Sequence, residues 1–305
     1  MRQLRYFEAL AVHGHFGRAA EACAISQPAL SVQIRELEDL IGAPLVERSG
    51  RQTRLTALGE AFAARTRDIL RSVDELANLA RASRGPNVGR LRIGVIPTVA
   101  PYLLPRIMQV LATSYPLIDL RPREAVTQKL LEDLNEHRLD AAIVALPVSE
   151  ASLVEWPLFD EDFVLVRPAD DADKPIPSIE MLSEMKLLLL EEGHCFRDQA
   201  LSFCKASGSV PRVIMEGCSL STLVQMVSVG MGVTLIPEMA IQLEARSESI
   251  TVARFEAPRP FRTIGMIWRK SNPLSAQLEQ IAQFVKESAV NAGAVPEPHR
   301  RSRRE

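Results

Sequence analysis

Apolar segments of strand length alternate with helix-like segments throughout the chain from Leu91 onwards. Parallel strands need crossover connections, and these are usually helices, so the alternation is typical of an α/β domain with a largely parallel sheet. The predicted strands span residues 91–96, 139–146, 163–166, 187–190, 233–236 and 263–268. The predicted helices among them span residues 103–115, 129–136 and 221–229.

Residues 1–58 predict a different unit, made mostly of short helices. Ser26 is a favourable N-cap and Pro28 is tolerated in a first turn, so a helix is expected to begin there. Apolar residues then recur at the i, i+4, i+7 and i+11 positions that one helix face requires, namely Leu30, Ile34, Leu37 and Ile41. Residues 44–56 predict a strand, a turn and a second strand.

Polar side chains suited to DNA remain on the outer side of this helix and along the hairpin. Gln pairs with adenine and Arg with guanine or phosphate, so such a helix suits the major groove. The helix candidates are Gln27, Pro28, Ser31, Gln33 and Arg35. The hairpin candidates, suited to phosphates or the minor groove, are Arg48, Arg51 and Arg54. The pattern alone also allows a merely solvated polar face, because the net charge of the whole chain is -2.

A long helix follows the hairpin. Thr56 can cap its start, and the Arg-Gly-Pro segment 84–86 ends it. Phe62, Ile69 and Leu76 recur every seven residues, which favours a short heptad seam against a second helix. Packing on the C-terminal domain of the same chain is the alternative.

Four motifs within residues 1–60 carry a family resemblance, namely Ala19-Ala20-Glu21, Ser26-Gln27-Pro28-Ala29-Leu30-Ser31, Gln33-Ile34-Arg35-Glu36-Leu37-Glu38 and Leu55-Thr56-x-x-Gly59. Together they resemble the winged helix-turn-helix of LysR-type transcriptional regulators. The resemblance implies double-stranded DNA with a pseudo-palindromic operator as partner, and a dimer or tetramer of the chain. It also implies a regulatory domain of two Rossmann-like subdomains, similar to type 2 periplasmic binding proteins.

The domain plan follows from these patterns and from the resemblance. The all-α-dominated winged helix-turn-helix is assigned to residues 1–58, the linker helix to 59–88 and the α/β regulatory domain to 89–290. The chain is expected to leave the first subdomain near Pro168 and to return near Arg262. Subdomain I then covers about 89–165 and 265–290, and subdomain II about 166–264. Residues 291–305, rich in arginine, predict a disordered basic tail.

Cys195 and Cys204 are nine residues apart in a segment that predicts a helix. A helix separates them by roughly 13 Å and about half a turn, whereas a disulfide needs Cα atoms within roughly 7 Å. The pair can therefore bond only if this helix comes apart, which predicts a two-state redox switch. Cys195 stands at the helix start beside His194 and Arg197, where the helix dipole and a neighbouring cation favour a thiolate.

The cysteine segment reads Gly193-His194-Cys195-x-Arg197-Asp198-Gln199-Ala200, followed by Phe203-Cys204. In this form it resembles the peroxide-sensing subgroup of LysR-type regulators. Residues 94–98, 101–105, 157–161 and 262–265 support the resemblance.

This second resemblance implies a transcriptional activator of the oxidative-stress response that hydrogen peroxide switches. Cys195 is then the peroxidatic thiol and Cys204 the resolving thiol. The expected peroxide pocket consists of Thr98, Thr127, His194, Arg197, Asp198 and Arg262. Oxidation is expected to reorganise a tetramer on DNA so that it recruits RNA polymerase, and thiol reductants are expected to reset it. No cofactor and no metal are implied.

Three other interpretations compete with this one. A metabolite bound between the subdomains is the alternative trigger, as in ordinary LysR-type regulators. A thiol peroxidase is disfavoured because a winged helix would have no purpose in one, so no enzyme is expected. A zinc site is disfavoured because His194, Cys195 and Cys204 lack clustered ligand spacing.

The remaining sequence signals concern location and the other thiols. The chain shows no apolar run of roughly 18 residues and no signal-peptide pattern, so a cytoplasmic protein without a membrane partner is expected. Cys23 and Cys218 are expected to be structural thiols.

Overall fold

The computed structural model describes residues 1–47, 53–82, 89–178, 181–182, 185–193, 195–205, 212–217 and 219–291. The chain divides into two compact units, Met1–Ala80 and Arg81–Glu305. The predicted hairpin residues Arg48 and Arg51, the thiol of Cys218, His194 and the basic tail beyond residue 291 lie outside the described residues. None of the described helices is both long and apolar enough to cross a membrane.

The first unit has the predicted winged helix-turn-helix architecture. Its described elements are α1 (Arg2–His13), α2 (Phe16–Ala22), α3 (Gln27–Ile41), β1 (Val46–Glu47), β2 (Arg54–Leu55) and α4 (Ala57–Ala82). Ser26 caps α3 by accepting a hydrogen bond from the Ala29 N–H, and Pro28 lies in its first turn, as predicted. The stripe of Leu30, Ile34 and Leu37 is buried in the core of this unit.

The strand β1 is fixed between the ends of two helices. The Glu38 carboxylate of α3 accepts from the Leu45 and Val46 N–H groups at 2.8 and 3.0 Å. Gly59 of α4 lies so close to this segment that an added Cβ would collide with the Leu45 carbonyl oxygen. Only glycine fits at this approach, which explains the last residue of the Leu55-Thr56-x-x-Gly59 motif.

The linker helix α4 uses its seven-residue repeat in two ways. The ring of Phe62 packs edge-on against Phe7 at 5.4 Å, so this residue belongs to the winged-helix core rather than to a seam. Ile69 and Leu76 are exposed by 47% and 64%, and the contact of these two with a second chain stays a prediction. The sequence pattern could not separate the two roles because residues seven apart lie on the same face of a helix.

The second unit alternates strands and helices, as predicted. Its first half contains β3 (Gly89–Val95), α5 (Ala100–Ser114), β4 (Ile118–Glu124), α6 (Thr127–Asn135), β5 (Ala141–Leu146) and β6 (Leu153–Pro168). Its second half contains β7 (Lys186–Leu190), α7 (Cys195–Lys205), β8 (Arg212–Gly217), α8 (Leu220–Ser228), β9 (Val233–Pro237), α9 (Ile241–Glu244) and β10 (Ile250–Arg254). The unit ends with β11 (Phe261–Arg269) and α10 (Ser275–Asn291).

Among the described residues of this unit, nine strands form one sheet in the order β4-β3-β5-β11-β6-β9-β7-β8, with β10 also paired to β6. The pairs β3–β4, β3–β5, β7–β8 and β7–β9 are parallel. The long strands β6 and β11 are antiparallel to each other and run through the middle of the sheet. The sheet is therefore two parallel halves joined by an antiparallel pair of strands.

Each half has its own hydrophobic core, and β6 contributes to both. Leu158 and Phe159 belong to the first core, whereas Phe163 and the next residues of β6 belong to the second. The change of core thus lies at 160–162, several residues before the predicted crossing near Pro168. β6 is one continuous strand whose apolar pattern shows no break at this point. In β11, Ile264 belongs to the first core, and the subdomain bounds stay a prediction.

The contact of Gly59 with Leu45 generates a stability prediction. Gly59→Ala should lower the free energy of unfolding of the first unit by about 1–3 kcal/mol, because the new methyl group forces α4 away from the wing. Hydrogen exchange at the amides of α3 and α4 in the full chain measures this opening. Ala61→Ser, at an exposed position of α4, is the matched control and should change the same free energy by less than about 0.5 kcal/mol. Equal protection in Gly59→Ala and the unmodified chain would contradict the packing argument.

Candidate functional site

Both cysteines of the predicted switch lie on one helix. α7 begins at Cys195, after Gly193 in the left-handed conformation (φ +94°), and it still includes position 204 in its last turn. The helix therefore keeps the two backbone positions apart by roughly 13 Å, as predicted, and a disulfide requires it to unwind. The side chains of Cys204 and Asp198 lie outside the described part of the structure.

The start of α7 touches both cores of the regulatory unit. Cys195 is a half-buried free thiol that packs against the first core. The next residue, Phe196, is buried in the second core, where its ring meets Phe163 edge-on at 5.0 Å. Ala200, one turn further along, is also in the second core. A change in the backbone at Cys195 consequently disturbs the packing of both halves.

A small cavity lies beside the Cys195 thiol. It comprises about 160 Å³ of empty space, open side included, and is too narrow in this conformation for a water-sized molecule; its described lining is Ile96, Pro97, Thr98, Val126, Thr127, Cys195 and Phe196. Thr98 follows β3 and Thr127 begins α6, so two strand-to-helix connections each contribute a threonine to the lining. The Thr127 hydroxyl oxygen is buried and has no hydrogen-bond partner among the described residues. Buried polar atoms are rarely left unpaired, so the unpaired Thr127 hydroxyl marks this cavity as the candidate site.

A buried ion pair stands behind Thr98. Arg262 donates from Nε and Nη2 to Glu161 Oε2 at 2.9 and 2.8 Å, and the two side chains are 0% and 1% exposed. Arg262 also donates from Nη1 to Thr98 Oγ1 at 2.7 Å and from Nη2 to the Thr98 carbonyl oxygen at 3.0 Å. Its guanidinium carbon lies 5.5 Å from the centroid of the Phe196 ring. Arg262 thus links the threonine of the cavity to the first turn of α7.

Glu161 completes this network. Its Oε1 accepts from the Met239 N–H at 3.0 Å. Complete burial raises the pKa of the Glu161 carboxyl, and the neighbouring Arg262 charge acts in the opposite direction by stabilising the carboxylate. Glu161 ends the segment 157–161, but its role could not be predicted from the sequence because its partner is 101 positions away in the chain.

Arg197, another residue of the predicted peroxide pocket, lies away from the cavity. The Arg197 guanidinium donates to the Leu190 carbonyl oxygen at 3.1 Å, and Arg197 is not among the described residues that line the cavity. Residues two positions apart on a helix do not face each other, so Arg197 turns away from the side that Cys195 presents. The structure therefore brings Thr98, Thr127 and Cys195 together, with Arg262 behind Thr98.

A hydrogen bond between Tyr102 and Glu244, here called the clasp, also links the two halves. The Tyr102 hydroxyl of α5 donates to Glu244 Oε1 of α9 at 2.7 Å, and its ring packs against both cores. Burial, and then the hydrogen bond with Glu244, raise the pKa of Tyr102 above its ordinary value.

The candidate nucleic-acid interface lies on α3. Gln27, Pro28 and Arg35 are exposed there, and Ser31 and Gln33 are half-buried. Gln33 donates from Nε2 to the Glu36 carboxylate at 2.7 Å, a partner that sequence analysis did not identify. Arg54 is exposed on β2. The pKa of the Cys23 thiol in this unit is raised, first by burial and then by the charge of Glu8. The raised pKa disfavours the reactive thiolate form.

Both units match known families. The model described as "Bacterial regulatory helix-turn-helix protein, lysR family" matches residues 1–60, and "LysR substrate binding domain" matches residues 84–290. A "Probable hydrogen peroxide-inducible genes activator" of Streptomyces viridosporus is 43% identical over 293 residues, 94% of each chain. The "DNA-binding transcriptional dual regulator OxyR" of Escherichia coli K12 is 40% identical over 288 residues, again 94% of each chain.

Two solved OxyR structures are also similar to this chain. A full-length OxyR variant from Pseudomonas aeruginosa is 38% identical, with a TM-score of 0.71 over 93% of this chain and 94% of its own. A hydrogen-peroxide-bound OxyR variant from Corynebacterium glutamicum is 33% identical, with a TM-score of 0.68 over 96% of this chain and 92% of its own.

The cavity threonines generate a prediction on stability. Thr98→Val removes the acceptor of a buried, charged donor, so it should lower the free energy of unfolding of the second unit by about 1–3 kcal/mol. Thr127→Val replaces a hydroxyl without a described partner and should change the same free energy by no more than about 0.5 kcal/mol. Both tryptophans, Trp156 and Trp268, lie in this unit, so urea unfolding followed by tryptophan fluorescence measures it in the full chain.

Thr263→Val is the control for this pair. Its hydroxyl donates to the Asp160 carboxylate at 2.7 Å on the exposed side of the same sheet, where water can replace it. A loss for Thr127→Val as large as that for Thr98→Val would show that the two hydroxyls do not differ as described.

Proposed function

The chain belongs to the LysR family of bacterial transcriptional regulators, within the group of OxyR and the hydrogen peroxide-inducible genes activators, and from this membership we propose a peroxide-switched regulator of the oxidative-stress response. Hydrogen peroxide oxidises Cys195, and a disulfide with Cys204 changes the regulator on DNA. The observation that carries this proposal is the position of Cys195, at the start of a helix and beside a small cavity with two threonine hydroxyls.

The first chemical step is the attack of the Cys195 thiolate on one peroxide oxygen. The S–O bond forms as the O–O bond breaks, sulfur loses two electrons, and the other oxygen leaves as hydroxide, which takes a proton to become water. Arg262 occupies the acceptor side of the Thr98 hydroxyl, so Thr98 can donate its proton to the thiolate or to the peroxide. Thr127 supplies a second hydroxyl. Positioned donors of this kind stabilise the charge on the leaving oxygen.

The second step joins the two cysteines. The sulfenic acid of Cys195 condenses with the Cys204 thiol, which forms the disulfide and releases water. Because an intact α7 keeps these residues apart, the bond forms only after the helix unwinds. Unwinding removes Phe196 and Ala200 from the second core and shifts Cys195 on the first. The covalent event is thereby passed to both halves of the regulatory unit, which is a bistable element.

The rest of the regulator follows the family plan. We propose that α3 enters the major groove of a pseudo-palindromic operator, that the chain acts as a dimer or tetramer, and that the oxidised form recruits RNA polymerase in the cytoplasm. Cellular dithiols reset it by exchange, in which two thiols of the reductant become a disulfide as Cys195 and Cys204 return to thiols. We propose no catalytic role, since each oxidation consumes one peroxide and waits for a reset.

Peptide mass mapping tests the switch. One equivalent of hydrogen peroxide, added to anaerobically reduced full chain, should produce a Cys195–Cys204 disulfide that a dithiol reverses. Cys195→Ser should abolish it, and Cys204→Ser should leave a sulfenic acid that a dimedone probe captures, because no resolving thiol is present. Cys23→Ser is the control and should behave as the unmodified chain. If Cys195 and Cys204 stay reduced, or if Cys218 reacts instead, the peroxide proposal fails and a metabolite trigger takes its place.

Operator binding at several salt concentrations tests the interface. Arg35→Ala should cost about 1–3 kcal/mol at the operator and relax its specificity, because a base contact is lost. Arg54→Ala should weaken all DNA sequences alike and reduce the salt slope by about 1, as loss of one phosphate contact does. Arg90→Ala, an exposed arginine of the second unit that pairs with Asp119, is the control. Operator affinity and salt slope that are identical in all three variants would contradict the assignment.

A further inference from the structure

The buried pair of Glu161 and Arg262 needs an explanation beyond stability. Removing two charges from water is costly, and the attraction between them often does no more than offset that cost. Here both side chains are almost completely buried, and the two residues face each other in the register of β6 and β11. The pair is therefore weak evidence for stability, and its other contacts indicate what it does.

The contacts of Arg262 restrict the direction of one proton. A guanidinium has donors and no acceptor, so the Thr98 hydroxyl can only accept from Arg262 Nη1. Its own proton must point away from Arg262, and Thr98 lines the cavity together with Cys195. The second bond, from Arg262 Nη2 to the Thr98 carbonyl oxygen, holds the backbone of the same residue. Arg262 thus holds Thr98 in position and leaves its hydroxyl free to donate on the side away from the guanidinium.

Glu161 in turn determines the orientation of the Arg262 guanidinium. Its Oε2 accepts from two nitrogens of the guanidinium, which fixes the plane of that group, and its Oε1 accepts from the Met239 N–H. Met239 belongs to the first core although it follows β9 of the other half. The carboxylate consequently holds the guanidinium against a rigid support at the junction of the two halves.

We propose that Glu161 is a positioning residue for the reaction of Cys195 with peroxide. It does not touch the reacting atoms and acts through Arg262, which keeps the Thr98 proton directed into the cavity. The inference rests on the proposed function. Without the carboxylate, the guanidinium can rotate, and Thr98 no longer presents its proton where charge develops on the departing oxygen.

Two reactions of the same thiolate in the full chain separate this role from general damage. Hydrogen peroxide needs a donor at its leaving oxygen, whereas iodoacetamide alkylates the thiolate and releases iodide, which needs none. Each rate constant is measured across pH up to the plateau at which the thiol is fully ionised. The plateau of each variant is then compared with that of the unmodified chain. Glu161→Gln should lower the peroxide plateau roughly ten- to hundredfold, since misplacement of a reacting group has effects of this size. The iodoacetamide plateau should stay near that of the unmodified chain.

Asp160→Asn is the matched control. Asp160 precedes Glu161 on β6, and its carboxylate accepts from the Thr263 hydroxyl on the exposed side rather than from Arg262. Both plateaus should remain unchanged in this variant. A parallel fall of both plateaus in Glu161→Gln, or an unchanged peroxide plateau, overturns the positioning role.

A double-mutant cycle tests whether Glu161 acts through Arg262. In an Arg262→Gln background, the further change Glu161→Gln should cause no additional loss of the peroxide plateau. Additive losses overturn the proposal. Should Glu161→Gln not fold, Arg262→Lys replaces it, because one ammonium cannot bind Glu161 and both oxygens of Thr98 at once. The lysine variant must show the same selective loss, and a normal peroxide plateau in it overturns the proposal.

The unmodified chain separates this inference from the function on which it rests. If its Cys195 does not react with peroxide above the rate of an ordinary thiolate, the proposed function fails, and the positioning role fails with it. If it reacts rapidly and Glu161→Gln is equally fast, only the positioning role fails.

Discussion

The antiparallel pairing of β6 with β11 is the interaction that the regulatory unit depends on. β6 passes from one hydrophobic core to the other, and its register with β11 places Glu161 opposite Arg262 near the change of core. From that position Arg262 contacts Thr98, which follows β3, and Phe196, which lies in the first turn of α7, while Glu161 holds the Met239 backbone. Sheet register therefore assembles the candidate site, because segments distant in the chain meet at one cross-strand pair.

An intact α7 and a Cys195–Cys204 disulfide are mutually exclusive. As long as the helix is intact, the cysteines cannot bond, and it is held by packing that includes the buried ring of Phe196. Burial of one such ring contributes roughly 1.5–3 kcal/mol, which favours the intact helix as long as no covalent bond joins the two cysteines.

Sequence alone predicted the elements whose pattern is local. Ser26, Pro28 and the apolar stripe located α3, and the spacing of Cys195 and Cys204 on a helix was confirmed in α7. β4 was missed because it is an edge strand whose residues, among them Asp119 and Arg121, are polar and mostly exposed. The contacts of the site could not be predicted in the same way. The role of Glu161 depends on a partner far away in the chain, and Arg197 stands near Cys195 in sequence but turns to Leu190.

The clasp between Tyr102 and Glu244 is a link between the two halves that changes with pH only under strongly alkaline conditions. A tyrosine whose pKa is raised in the folded state keeps its proton at every pH below the ordinary value of 10.0, and its stabilising hydrogen bond is lost only as the pH rises through the raised value. The donor side of the clasp is thus insensitive to mild alkalinity. A rise in pH that leaves tyrosines in water protonated therefore leaves this link between the two halves intact.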